Sequence, residues 1–138
     1  MAKKARYVLD SFALLAYLQA EASGSQVRAL LESAQDAQAE LYISFVNVGE
    51  MYYILHREQG VERAEEMLSD LRTLPVELVS ATDDRIIAAA RIKATHSLSY
   101  ADAFAVALAQ EQGATLVTGD PEFHAVETDV NILWLTNP

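Results

Sequence analysis

The sequence predicts an α/β protein built on a parallel sheet, and three observations lead there. Short β-rich runs alternate with longer segments of helical apolar spacing, the pattern of strands joined by crossover helices. Hydrophobic residues make up 51% of the 138-residue chain, enough for one domain to bury a core. Punctuation falls between the runs: Gly60, Pro75 and Gly113 sit at helix stops, and Thr82 before Asp83 and Asp84 marks a helix start whose acidic first turn suits the helix dipole.

Taken in order, RYVL (6–9) is the first strand, followed by helices over 11–21 and 25–36. LYIS (41–44) is the second, leading into helices over 45–58 and 61–73. VELV (76–79) is the third, with helices over 83–96 and 100–112 behind it, and TLVT (115–118) and NILWL (131–135) complete the set. Without a linker, repeat or low-complexity segment, residues 1–138 are expected to form a single domain.

Composition narrows the chemistry. The chain has no cysteine, so disulfides, thiolate catalysis and cysteine-held zinc or iron–sulfur sites are out, and any metal must sit among oxygen or histidine ligands. His56, His96 and His124 have no metal-binding spacing. A formal charge of −10 disfavours broad electrostatic binding of nucleic acid, which needs lysine and arginine against phosphate. It does not disfavour a nuclease, because a bound cation reverses the local sign of a carboxylate site. Arg85, Arg91 and Lys93 are candidates for phosphate contact, equally well explained as a solvated helix face. No apolar run nears the roughly 20 residues of a membrane span, and MAKKARYVLD enters a strand rather than a signal segment. A soluble, cytoplasmic protein with no membrane partner is expected.

Four carboxylates stand out, and each has a plain structural reading beside the chemical one. Asp10 ends the first strand in YVLDSF and Asp120 follows the fourth in LVTGDP, so both fall at the carboxyl edge where open α/β sheets bind ligands. Either aspartate could simply cap a helix, Asp120 with Pro121 at the first helical position. Asp102 in SYADAFAVALAQ completes a capping-box pattern with Ser99. Glu50 in SFVNVGEMYYIL is harder to dismiss, because Val46, Asn47, Tyr53 and Ile54, three and four residues away, include no basic partner. Its plain reading is an exposed edge position; a carboxylate buried there needs a distant cation, hydrogen bonds or a metal. Gly49 beside it suggests close backbone approach. Four oxygen donors converging on one cleft suit Mg²⁺ or Mn²⁺, and a like-charged pair about 4 Å apart would repel by up to ~4 kcal/mol at an effective dielectric near 20.

These four motifs, in this order, resemble the PIN-domain nucleases and, within them, the VapC-type toxins of toxin–antitoxin pairs. The resemblance spans nearly the whole chain and includes a near-complete T-G-D-x-x-F match at Thr118 to Phe123. It implies a three-layer α/β/α fold with a five-stranded parallel sheet, divalent-metal-dependent cleavage of RNA, a homodimer and a small antitoxin partner. It assigns Asp10, Glu50, Asp102 and Asp120 to an acidic site holding Mg²⁺ or Mn²⁺, with Thr118 supporting Asp120 or a metal-bound water and Ser11 and Asn47 in supporting places. Where the family often carries a small polar residue two places after the first aspartate, this chain has Phe12. The implied reaction is hydrolysis by activated water, with one or two ions, leaving a 5′-phosphate and a 3′-hydroxyl.

Rival readings fail on particular residues. A phospho-accepting signalling domain needs an acidic pair near the first strand and a lysine after the last, and a haloacid-dehalogenase-type phosphatase needs D-x-D where this chain reads Asp10, Ser11, Phe12. A housekeeping PIN nuclease and a catalytically silent PIN-like binding module remain as alternatives. Retention of all four acidic positions argues against the silent module.

Overall fold

The computed structural model describes residues 4–136. In chain order the elements are β1 (Ala5–Leu9), α1 (Ser11–Leu18), α2 (Gly24–Gln35), β2 (Ala39–Ser44), α3 (Phe45–Gln59), α4 (Val61–Leu71), β3 (Glu77–Val79), α5 (Asp83–Thr95), α6 (Tyr100–Gln112), β4 (Thr115–Thr118) and β5 (Ile132–Trp134), with a 3₁₀ turn over Pro121–Val126 between the last two strands. The strands form one parallel sheet in the order β3-β2-β1-β4-β5.

Alternation along the strands sorts the helices into layers. Leu9, Leu41, Ile43 and Val117 face one way and pack with Leu14 of α1, Val27 of α2, Met51 and Leu55 of α3 and Met67 of α4. Val8, Tyr42, Val79 and Leu116 face the other way and pack with Val106 and Leu108 of α6 and with Phe123 and Val126 of the 3₁₀ turn. Ala89 of α5 joins the outer side of α6 through Ala103, Phe104 and Ala107. The result is the three-layer α/β/α arrangement, with both faces of the sheet covered as parallel strands require.

Helix ends follow their caps. Gly113 closes α6 in the left-handed conformation, and Gly60, also at positive φ, ends α3 and leads into α4. The expected helix over 11–21 stops at Leu18, because Ala20 turns the chain at φ 55°. That turn returns α2 onto α1 so closely that a Cβ on Gly24 would lie 2.6 Å from the Ala16 carbonyl oxygen. Close approach is therefore at Gly24 and not at Gly49, where an added Cβ meets nothing within 4 Å.

The strand order sets the place of the site. The chain lays down β1, β2 and β3 toward one edge, then returns to place β4 on the other side of β1. The crevice between the ends of β1 and β4 is the topological switch point.

Candidate active site

Asp10 and Thr118 face each other across this crevice. Asp10 is 2% exposed and caps α1, its Oδ1 accepting from the Ala13 N–H at 2.8 Å. Its Oδ2 accepts from the Thr118 hydroxyl at 2.5 Å. Thr118 Oγ1 in turn accepts from the Asp120 backbone N–H at 3.0 Å. One fully buried hydroxyl thus couples the two aspartates: it supports Asp120 through the backbone, and its proton goes to Asp10.

Asp120 is both a cap and a member of a cluster. Its Oδ1 accepts from the Glu122 N–H at 2.9 Å, starting the 3₁₀ turn with Pro121 at its head. The same turn brings the Glu122 carboxylate to the site. Oxygens of Asp102, Asp120 and Glu122 all lie within 4.8 Å of one another. Glu122 was not anticipated from the sequence. A signal was available: a residue whose N–H sits on the Asp120 carboxylate, two places on, must lie beside it.

Asp102 enters from α6, where the Ser99 hydroxyl accepts its backbone N–H at 3.1 Å and lies beside the carboxylate that joins the cluster. Fully buried Asn47 braces this end of α6 by donating Nδ2 to the Ala101 carbonyl at 3.1 Å, while its Oδ1 has no hydrogen-bond partner among the described residues. Glu50, one turn further along α3, is half-buried, and its Oε1 accepts from the buried Ser11 hydroxyl. The partner that Glu50 lacks on its own helix is thus supplied by α1.

The electrostatics follow from burial. Desolvation pushes the Asp10 carboxyl up to about 7, against the Thr118 and Ala13 hydrogen bonds that pull it down, with the charges of Asp102 and Asp120 adding to the rise. Desolvation also raises Asp102, to about 6, opposed by Ser99 and reinforced by Glu50, Asp120 and Glu122. Mutual repulsion, prominent in the sequence reading, is the smaller cause at both residues. Among the described residues no lysine, arginine or histidine forms an ion pair with Asp10, Glu50, Asp102, Asp120 or Glu122. Arg85, a candidate for phosphate contact, is instead held by Glu111 at 3.0 Å.

An all-oxygen donor set with no paired cation among the described residues fits a hard divalent ion. Mg²⁺ takes oxygens at about 2.0–2.1 Å, so donors on opposite sides lie about 4 Å apart, and the oxygens of Asp102, Asp120 and Glu122, all within 4.8 Å of one another, are near enough to share one ion. The histidines are engaged elsewhere: His96 with Asp129 at 3.0 Å, His124 with Glu127 and the Trp134 ring, and His56 against the Tyr52 ring.

Solved structures share this architecture. VapBC2 from Rickettsia felis, bound to a DNA fragment from its promoter, matches with a TM-score of 0.72 at 16% identity, covering 95% of this chain and 99% of that one. VapC20 from Mycobacterium tuberculosis, a sarcin-ricin loop cleaving toxin, matches with a TM-score of 0.68 at 20% identity, covering 88% and 95%. DNA-bound VapBC from Salmonella typhimurium matches with a TM-score of 0.71 at 15% identity, covering 96% and 99%. At such identities the likeness is one of fold. No curated protein sequence gives a match. The family model of the PIN domain matches residues 7–128, from the first strand past the Asp120 turn. With that match running through both sides of the switch point and every acidic position around it, the chain belongs to the PIN domain family.

Proposed function

We propose that the protein is a divalent-metal-dependent endoribonuclease and the toxin of a toxin–antitoxin pair. One observation carries the reading: carboxylate oxygens of Asp102, Asp120 and Glu122 lie within 4.8 Å of one another, near enough to Asp10 and Glu50 for their charges to interact, with no basic partner among the described residues. Asp102, Asp120 and Glu122 would hold Mg²⁺ or Mn²⁺, with Asp10 and Glu50 beside them. Bound there, the ion supplies positive charge toward a scissile phosphate and lowers the pKa of water, so no side chain is needed as nucleophile.

The chain's own contribution is orientation. Thr118 and the Ala13 N–H hold both oxygens of Asp10, Ser11 holds Glu50, and Asn47 anchors the turn that carries Asp102. Because Asp10 and Asp102 carry raised pKa values of about 7 and about 6, cation uptake displaces protons, and affinity should climb across that pH range. The RNA-cleaving toxin and the VapBC pairs that share the fold support an RNA substrate and a small protein partner. The partner would present positive charge to the acidic cleft of a homodimer, consistent with the net charge of −10.

The test is cleavage of single-stranded RNA with Mg²⁺ or Mn²⁺, abolished by EDTA and leaving 5′-phosphate ends. Asp10→Asn and Asp102→Asn should each lower the rate by roughly 100-fold or more. Cleavage that survives either substitution undiminished removes the mechanism.

A further inference from the structure

We infer that Phe12 is a stacking platform for one unpaired base of the RNA, seated beside the carboxylate site. The inference rests on the ribonuclease reading above and adds the feature of the substrate that this chain selects.

Phe12 is 41% exposed, while Ser11 and Ala13 on either side are buried at 5% and 0%. It is two residues from Asp10, and its ring lies across the crevice against the backbone of Gly119, the residue before Asp120. A Cβ built on Gly119 would overlap ring carbons Cε1 and Cζ of Phe12. Gly119 is not among the glycines at positive φ, so its backbone does not call for glycine; the aromatic ring does. An exposed phenyl ring thus occupies a seat made for it, bridging the two strand ends that carry Asp10 and Asp120.

Charge explains why such a platform matters here. Of the three basic residues singled out for phosphate contact, Arg85 is tied to Glu111, which leaves Arg91 and Lys93 in a protein of charge −10. Base stacking needs no protein charge, contributes about 1–3 kcal/mol per base and is available only where the base has left its own stack. Single-stranded or looped RNA is therefore the class that fits.

The experiment measures binding of a labelled single-stranded RNA by fluorescence anisotropy, with every protein in an Asp102→Asn background so that cleavage does not intervene. Phe12→Leu should weaken binding roughly 5- to 150-fold, and Phe12→Tyr should stay within about twofold of the parent. Abasic sites scanned along the oligonucleotide should reproduce the loss at one position in the Phe12 protein and add nothing there to Phe12→Leu. The scan on the Phe12 protein requires no further variant to fold. Abasic losses that are equal at every position, or a Phe12→Leu protein that binds as tightly as the parent, overturn the inference and leave the ribonuclease reading standing. No RNA binding by the parent, together with no cleavage by the wild type, overturns both.

Discussion

Replacing Asp10 with asparagine in protein stripped of divalent ions should reverse sign with pH. Asp10 is 2% exposed, and its carboxyl is raised from 3.8 to about 7, chiefly by desolvation. A difference of about 3 pH units corresponds to about 4 kcal/mol of folding stability. Below about pH 4 the carboxyl is neutral in both states, and its raised pKa costs nothing. Between about pH 4 and pH 7 the unfolded chain gives up its proton while the folded chain keeps it, so stability falls, and above about pH 7 the loss is complete. Asparagine never ionises. It retains an acceptor for the Ala13 N–H but deprives the Thr118 proton of its acceptor, a cost of about 1 kcal/mol. Asp10→Asn should therefore be about 1 kcal/mol less stable than wild type near pH 4 and about 2–3 kcal/mol more stable at pH 8. The gain at pH 8 is on the order of 10 °C in melting midpoint. Urea and thermal unfolding in EDTA across this range measure both arms. Asp102 titrates in both proteins, so the difference between the two curves reports Asp10 together with its weaker coupling to Asp102. Curves that run parallel from pH 4 to pH 8 would refute the assignment of a strongly raised pKa to Asp10.

Two further outcomes follow from the same geometry. Thr118→Val removes a buried hydroxyl that serves Asp10 and the Asp120 N–H, so at pH 8 it should cost roughly 2–4 kcal/mol in urea unfolding, with a smaller loss near pH 4 where Asp10 is neutral; a loss below about 0.5 kcal/mol at pH 8 would contradict it. Gly119→Ala should perturb stability only while the Phe12 ring is present, so a cycle with Phe12→Ala should give a coupling of at least about 0.5 kcal/mol, and simple additivity would show that the ring does not rest on Gly119.

What could be read from the sequence divides along physical lines. Strands and helices were legible because period and caps are local: TLVT (115–118) and the helix over 100–112 appear at those bounds, and Gly60 and Gly113 end helices where expected. The end of α1 was not, because its turn uses Ala20 at positive φ, a place where sequence rules look for glycine. Asp10 and Asp120 could be placed on the rim from strand ends alone. Their neighbours could not, since the Ser11 partner of Glu50 is 39 residues away and the Thr118 partner of Asp10 is 108. Glycine misled in an instructive way. Gly49 adjoins a suspicious carboxylate yet stands in open space, whereas Gly119 and Gly24 are the positions where a side chain would collide.

The strand order has a consequence for when the site comes into being. β1 finds β2 early, with Tyr7 beside Leu41, but its other neighbour waits for Thr115. A nascent chain halted before Thr115 already carries Asp10, Glu50 and Asp102, yet it has neither the hydroxyl that holds Asp10 nor the turn that brings Asp120 and Glu122. Closing that pairing spans most of the polypeptide, the kind of distant contact that forms late. Assembly in this order leaves the acidic cluster incomplete until synthesis is nearly done.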